Sequence, residues 1–411
     1  MMKIAIIGGG ASGLCCAVAV GQKALEQGVN VNITVYEAKD RVGKKILATG
    51  NGRCNMLNCF ATADDYSSPL FVRDILGRFS AEYTRRFFED MGLYTREDEE
   101  GRVYPLSNQA TSVLDVLRLE CQRLGVNIVC DTEITSLSKK GNGFLLSDGK
   151  VYDKVVLSCG GKAGAKNFGG YELLKGLGIT VTKLMPALTK LTVKDNTYTK
   201  QLKGIRHKVA LSLYIDGKKA AEEKGELLFA DYGLSGIAVM QLSSVVARHF
   251  KQSKTLPVVY CDFVPDMSFG ELKESLCKII SHNKTMKAES LLIGFMPKKL
   301  GETVCKSVGV PLTKTVGELS AEDIKNIASA SKKFAFEISA LRPFEDAQVT
   351  SGGADLKEFD SNTLEAKKVK NLYCCGELLD IDGPCGGYNL LWAFASAIAV
   401  GESLMNFNNR R

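Results

Sequence analysis

The stretch KIAIIGGGASGL, residues 3–14, decides how the rest of this chain is read. Lys3–Ile7 is a short, mostly apolar run that enters Gly8-Gly9-Gly10-Ala11-Ser12-Gly13 directly, giving the pattern G-x-G-x-x-G. A helical stretch of small and apolar residues follows, with Gly28 as its stop signal. A second strand, within VNITVYEA, ends near Glu37. Strand, glycine turn, helix, strand and acid in this order form a dinucleotide-binding fingerprint. Gly8 permits the tight turn, Gly10 lets backbone approach a pyrophosphate, and Gly13 lets helix and strand pack closely. Ala11 and Ser12 open the helix, whose free N–H groups and positive dipole end suit phosphate. Glu37, followed by Ala38, stands where ribose hydroxyls are held, and an acid there disfavours a 2′-phosphate.

The bulk properties narrow the classes further. A length of 411 residues predicts two or three domains. Hydrophobic content of 45% and charged content of 24% are ordinary for a folded soluble chain. The net charge of +7 is mild and the lysines are spread out, so nucleic acid is not the expected partner. The 13 cysteines are odd in number and contain no C-x-x-C, which argues against a disulfide framework or a zinc site. A reducing cytoplasm fits that usage. His207, His249 and His282 lie in no ligand motif, so no metal is expected. Residues 4–21 carry no charge and imitate a signal peptide or a membrane span. Three consecutive glycines and Ser12 interrupt them, and the expectation is an unprocessed chain that does not enter a membrane.

Directly after Glu37 comes AKDRVGKKILATGNGRCNMLN, residues 38–58. An NAD site needs no basic, glycine-rich loop here, whereas FAD is longer and extends over the next loop. Arg41, Lys44, Lys45 and Arg53 supply positive charge, Gly50 and Gly52 allow close approach, and Cys54 and Asn55 complete the loop. Cys54 beside Arg53 also invites a redox reading, against which a structural thiol is the preferred one.

The other informative stretch is CGELLDIDGPCGGYNLLWAFASA, residues 375–397. NLYCCGE, 371–377, reads as the last strand of the nucleotide-binding sheet, delivering Gly376 and Glu377 to its carboxyl end. Asp382 assists Glu377 or shapes the turn with Gly383 and Pro384. Gly386, Gly387, Tyr388 and Asn389 introduce a helix from Leu390 to about Met405, its N–H groups aimed at the flavin pyrimidine edge. Trp392 and Phe394 are assigned to core packing.

GGGASG, RVGKKILATGNGRCNMLN, GLSG at 233–236, TSGG at 350–353 and the C-terminal stretch occur in one order. Together they resemble the BaiN/YhiN-like flavoproteins, also described as aminoacetone-oxidase-like FAD-binding proteins, over essentially the whole chain. The resemblance implies a Rossmann-like, glutathione-reductase-like three-layer α/β domain with an inserted antiparallel β-domain and a small helical domain. It also implies that Glu377 holds the ribitol chain, that backbone at Ile134 in a strand around 133–137 meets adenine, and that Gly160-Gly161 passes close to the dinucleotide. Residues 162–178 depart from the family pattern by lacking a proline-containing phrase, which leaves any substrate carried over from relatives open.

From about Leu191 the residues alternate as antiparallel strands, with turns expected at Asp216-Gly217 and Lys224-Gly225. Residues 268–332 are helical in pattern, with a helix start at Ser320 followed by Asp323, and 334–349 return to strand. The domain reading is 1–190 plus 350–411 for FAD, 191–264 plus 334–349 for the β-insert, and 265–333 for the helical insert. No second strand–GxGxxG–helix unit is present, so NAD(P)H would act only as a transiently docked electron donor. The function expected is an FAD-dependent oxidoreductase moving a hydride between flavin and a small organic substrate. Amine oxidation and NAD(P)H-driven reduction of a bile-acid-type enone both stay open. A flavin-containing regulatory protein that contacts RNA or another partner, and a tRNA-modifying flavoprotein, are the rivals. The sequence names neither a catalytic acid or base nor an oligomeric state.

Overall fold

The apolar run at the N-terminus forms the central strand of a parallel sheet in the computed structural model, which describes residues 1–164 and 169–406. The elements that matter are β1 (Met2–Ile7), α1 (Ala11–Glu26), β2 (Val31–Tyr36), α2 (Ala110–Arg123), β3 (Asn127–Val129), β4 (Lys154–Leu157), β5 (Leu372–Cys374) and α3 (Tyr388–Met405). The strands pair in the order β5-β4-β1-β2-β3, all parallel. Ile7 lies opposite both Tyr36 and Leu157, and Leu157 lies opposite Cys374. Four strands therefore end level, and the residues after them (Gly8, Glu37, Ser158 and Cys375) emerge along one edge of the sheet. Ligands of open α/β sheets bind beyond that edge.

Burial on both faces explains the unbroken apolar character of these strands. Ile4, Ala5 and Ile6 are fully buried, as a central parallel strand requires. α1 and α3 are rich in alanine because they pack closely against each other. A methyl group added at Gly401 would stand 2.5 Å from the Cβ of Ala19. The uncharged segment 4–21 is thus strand, turn and interior helix. Among the described residues no helix is long and apolar enough to cross a membrane.

The chain divides into two units, Met1–Leu184 with Val349–Arg411, and Met185–Gln348. The second unit is built on a closed antiparallel barrel, which leaves no free sheet edge. Its strands run in the order Leu191–Val193, Gly233–Ser235, Lys218–Ala230, Arg206–Ile215, Val258–Asp262 and Phe334–Leu341. Alternation fills the interior: Phe334, Phe336 and Ile338 point in, while Ala335, Glu337 and Ser339 face out. The helices Phe269–His282, Lys298–Ser307 and Ala321–Lys332 contribute Leu272, Leu276, Leu300 and Ile327 to the same apolar cluster as the barrel.

Two local expectations are corrected. Lys224-Gly225 is no turn, because both residues pair within the strand Lys218–Ala230, opposite Ala210 and Val209. The glycine serves packing instead: a Cβ there would lie 3.3 Å from the Cβ of Ala238 on the helix Ile237–Gln252. The strand expected around 133–137 begins only at Leu137. Asp131 turns the chain with a left-handed φ of 50°, and the backbone of 135 and 136 bonds to Ser147 instead of a strand partner. Of the segment 162–178, residues 165–168 lie outside the described residues, and Gly170–Gly176 is a short helix.

Candidate active site

The turn after β1 is fixed by backbone contacts. Gly8 has φ +111° and its N–H donates to the carbonyl of Tyr36 at 2.8 Å. A Cβ on Gly13 would stand 1.8 Å from the carbonyl oxygen of Gly8 and 2.7 Å from Ser158 Oγ. Ser158 donates to the carbonyls of Ile7 and Gly8 at 3.1 and 2.9 Å, clamping the turn from β4. Gly10 differs, since apart from its immediate chain neighbours nothing in the protein lies within 4 Å of where its Cβ would be. Gly10 is also the N-cap of α1 and no side chain caps that helix, so the first N–H groups, from Ala11 to Gly13, lack helical acceptors. An open approach over unsatisfied N–H groups is what a pyrophosphate requires.

Glu37 is aimed at this turn. One carboxylate oxygen accepts from Gly9 N–H at 3.0 Å and the other from Lys39 N–H at 3.0 Å. A carboxylate accepts about four hydrogen bonds, so capacity for ribose hydroxyls remains.

Glu377 follows β5 and is equally constrained. Its Oε2 pairs with Lys45 Nζ at 2.7 Å and its Oε1 accepts from Thr350 N–H at 2.8 Å. Thr350 Oγ1 in turn accepts from Ala163 N–H at 2.9 Å, and a Cβ on Gly161 would meet Glu377 Oε1 at 2.4 Å. Lys45, Gly161 and Glu377, read from distant stretches, thus converge. Gly353 of TSGG serves the same assembly, since a Cβ there would strike the carbonyl oxygen of Leu378 at 2.6 Å. Trp392 is core, as expected, but its indole N–H also donates to the carbonyl of Gly376 at 3.1 Å. Ser396 accepts from Gly376 N–H at 2.9 Å. Ser158 carried no motif, and Thr350 and Ser396 lay within quoted stretches but with no role assigned to them. Their only signal was position, beside glycines at strand ends or one helical turn beyond the tryptophan.

The loop at 49–58 meets the loop before α3. A Cβ on Gly387, at φ +102°, would lie 2.5 Å from the carbonyl of Leu57 and 2.7 Å from Asn55 Oδ1. Asn58 donates to the carbonyl of Gly386 at 3.0 Å. Asn389 is turned inward: its amide donates to Gly383 and Pro384 carbonyls at 2.8 and 3.0 Å and accepts from Gly383 N–H at 2.9 Å. Tyr66 donates to the carbonyl of Tyr388 at 2.8 Å, and burial raises its phenol well above the ordinary range. Asp382 is buried, and its backbone exchanges bonds with Ser67. Gly387 caps α3 without a side-chain bond, leaving that helix start open like that of α1.

The remaining candidates sort cleanly. Cys54 is fully buried and burial pushes its thiol up to about 11, which favours the structural reading over the redox one. Gly52 and Gly160 have positive φ and open space beside them, Ala38 is exposed, and Ile134 is buried just before the strand Leu137–Lys140. His207 and His249 bond to backbone carbonyls and His282 is exposed. Among the described residues no group of His, Cys, Asp or Glu is placed to hold a metal.

Two open helix starts, an acid at the tip of β2 and an acid at the end of β5 fit a long dinucleotide with a polyol between its halves. Comparison with known proteins agrees. A family model described as the HI0933-like protein Rossmann domain matches residues 2–403. The 3-dehydro-bile acid delta(4,6)-reductase of Clostridium scindens is 35% identical over 98% of this chain and 99% of its own length. The ribosomal RNA dihydrouridine synthase of Haemophilus influenzae is 27% identical over 97% of each chain. Among solved structures, the Sdh1 complex of Mycobacterium smegmatis in its apo form overlaps 99% of this chain and 69% of that chain, at 14% identity and a TM-score of 0.42. The match across nearly the whole sequence places this chain in the HI0933-like Rossmann family, as an FAD-dependent oxidoreductase.

Proposed function

We propose that this enzyme draws hydride from NAD(P)H and delivers it to a carbon–carbon double bond conjugated to a carbonyl. The observation that carries the reading is the end-to-end likeness to a protein named as a Δ4,6 reductase of 3-oxo bile acids. The second relative supports the same chemistry, because the uracil bond saturated in dihydrouridine is also conjugated to a carbonyl. Two electrons and a proton enter as hydride and leave as hydride at the carbon β to the carbonyl, and a second proton completes the α carbon. Bound FAD supplies the two-electron chemistry that joins the halves.

The chain's own part is to bind and orient. The N–H groups at Gly10–Gly13 take the pyrophosphate, Glu37 with Ala38 takes the adenosine ribose, and backbone at Ile134 meets adenine. Glu377, held by Lys45 and Thr350, accepts from the ribitol hydroxyls. The open start of α3, shaped by Gly387, Tyr388 and Asn389, would hold the pyrimidine end of the flavin, and its dipole would favour negative charge there. Gly52 to Asn55 and Gly160-Gly161 line the approach. Among the described residues no two cysteines form a disulfide, which supports a reducing cytoplasm.

The test is anaerobic mixing of the FAD-loaded protein with NADH or NADPH, then with a 3-oxo-Δ4 steroid or a uridine-containing RNA fragment. The expected result is bleaching of the flavin by a pyridine nucleotide and return of colour with one acceptor, its product heavier by two hydrogens. Return of colour with RNA alone would make nucleic acid the partner. A flavin that no pyridine nucleotide bleaches, but that amines reduce with peroxide release in air, would replace this reading with amine oxidation.

A further inference from the structure

Beside the loop that carries Gly386 and Gly387 lies a small antiparallel sheet of Leu57–Asn58, Arg102–Pro105 and Thr95–Glu97. Arg96 pairs directly with Tyr104 and Asn58 with Arg102, so Asn58, Arg102, Tyr104 and Arg96 share one face. That face touches the C-terminal loop through Asn58, which donates to the carbonyl of Gly386. The Tyr104 ring is buried, and two guanidiniums stack on it. Arg53 reaches it from the loop at 49–54 with Cζ 5.2 Å from the ring centroid, and Arg96 from the neighbouring strand at 5.8 Å. Arg53 Nε is tied to the carbonyl of Gly50 at 3.3 Å, and one Arg96 amino group to Asn108 Oδ1 at 3.0 Å. Those bonds fix the position of each charge and leave terminal amino groups free to donate.

Counter-charge separates this pair from its neighbour. Arg102, on the same face, is closed by Asp98 at 2.8 Å and Glu100 at 2.8 Å. Among the described residues neither Arg53 nor Arg96 makes an ion pair, and both are exposed. Two cations held to one aromatic ring, neither paired with a carboxylate, are of the type that recognises oxyanions, to which guanidinium donates in a bidentate fork.

We propose that Arg53 and Arg96, braced on Tyr104, bind a terminal oxyanion, phosphate or carboxylate, of a molecule that reacts at the flavin. The inference rests on the reductase reading for the identity of the reactants, which leaves two sources: the 2′-phosphate of NADPH or a carboxylate on the acceptor. Glu37 belongs to the FAD ribose and does not bear on this second position.

The experiment uses FAD-loaded full-length protein and equilibrium titration calorimetry, so that it needs no turnover. The probes are 2′,5′-ADP against 5′-AMP, and a 3-oxo-Δ4 steroid carboxylate against its methyl ester. The variants are the double substitution Arg53→Met with Arg96→Met, the double lysine substitution at the same positions, and Arg118→Met on α2 as a distant control. We expect the wild type to prefer one anionic probe over its partner by about tenfold, the yield of charge-assisted hydrogen bonds. The methionine pair should abolish that preference, the lysine pair should keep part of it, and Arg118→Met should leave it intact. Preference for 2′,5′-ADP assigns the site to the electron donor, and preference for the carboxylate assigns it to the acceptor. If the double variant loses its FAD, the single variants are read instead, each expected to lose about threefold, part of that tenfold. A wild type that separates neither pair, or a preference that survives the methionine pair, overturns the proposal. Failure of the reductase reading alone would show differently, as anion binding lost in the variants without any reduction of enones.

Discussion

The helices α1 and α3 begin on Gly10 and Gly387 with no side chain capping them, whereas Phe269–His282 and Ala321–Lys332 begin on Ser268 and Ser320, each closed by a capping box. Ser268 accepts from Glu271 N–H at 3.2 Å while the Glu271 carboxylate accepts from Ser268 N–H at 2.8 Å. Ser320 and Asp323 do the same at 3.0 and 2.9 Å. A capped start satisfies its own donors and adds stability. An open start leaves donors and a positive dipole end for something else. Ile237–Gln252 and Lys298–Ser307 in the second unit also begin without a side-chain cap, so the lack of a cap does not by itself mark a ligand; α1 and α3 are set apart by starting in the unit proposed to hold FAD. Among these four helices the starts divide between those closed for the fold and those that, as we propose, serve a ligand.

Substitutions can break that division in order of expected size. Gly13→Ala forces a methyl group against the Gly8 carbonyl and should destabilise the first unit by about 3 kcal/mol or more, measured by urea unfolding of the apoprotein. Asn389→Ala removes three bonds from the 383–389 turn and should cost about 2 kcal/mol, with weaker FAD binding because the α3 start loses its staple. Ser320→Ala should cost about 1 kcal/mol and leave FAD affinity unchanged, the opposite signature to a cofactor residue.

The other half of that capping box, Asp323, contributes with a pH dependence of fixed sign. Bonding to Ser320 N–H, then the nearby Lys314 ammonium, lowers the Asp323 carboxyl below its ordinary value. Its folded-state affinity for a proton is therefore the weaker one, so its contribution is present at neutral pH and fades as pH falls below about 4. The gap between wild type and Asp323→Ala, which removes the carboxylate while leaving the Ser320 backbone donor in place, should narrow at pH 3. The smallest effect concerns Cys54. Its buried thiol should resist alkylation at pH 8 in the native protein, and Cys54→Ser should leave the rate of flavin reduction within about twofold of wild type.

Much of this was legible in the sequence where the signal is local. β1, the glycine turn, α1 and β2 follow one another within 36 residues, and each glycine has a mechanical reason visible in the pattern. The capping box at Ser320 was equally plain, because its two members are three residues apart. Contacts across the chain were not. Lys45 and Glu377 are separated by 332 positions, and only folding shows that they pair. Arg53 could be marked as basic, but not as sharing Tyr104 with Arg96. Lys224-Gly225 was misread because glycine signals both turns and close packing, and only the helix above the strand distinguishes them. Closure of the barrel depends on register between strands far apart in sequence, which alternation alone does not encode.

The division between capping and binding is tested most directly by Gly10→Ala, measured twice on one preparation: thermal melting of the apoprotein and FAD titration. Apart from its immediate chain neighbours a Cβ at Gly10 meets no protein atom within 4 Å, so the apoprotein should melt within about 1 kcal/mol of wild type while FAD affinity falls at least about tenfold. Loss of stability with FAD affinity retained would contradict the account, by showing that the open start of α1 serves the fold and not the cofactor.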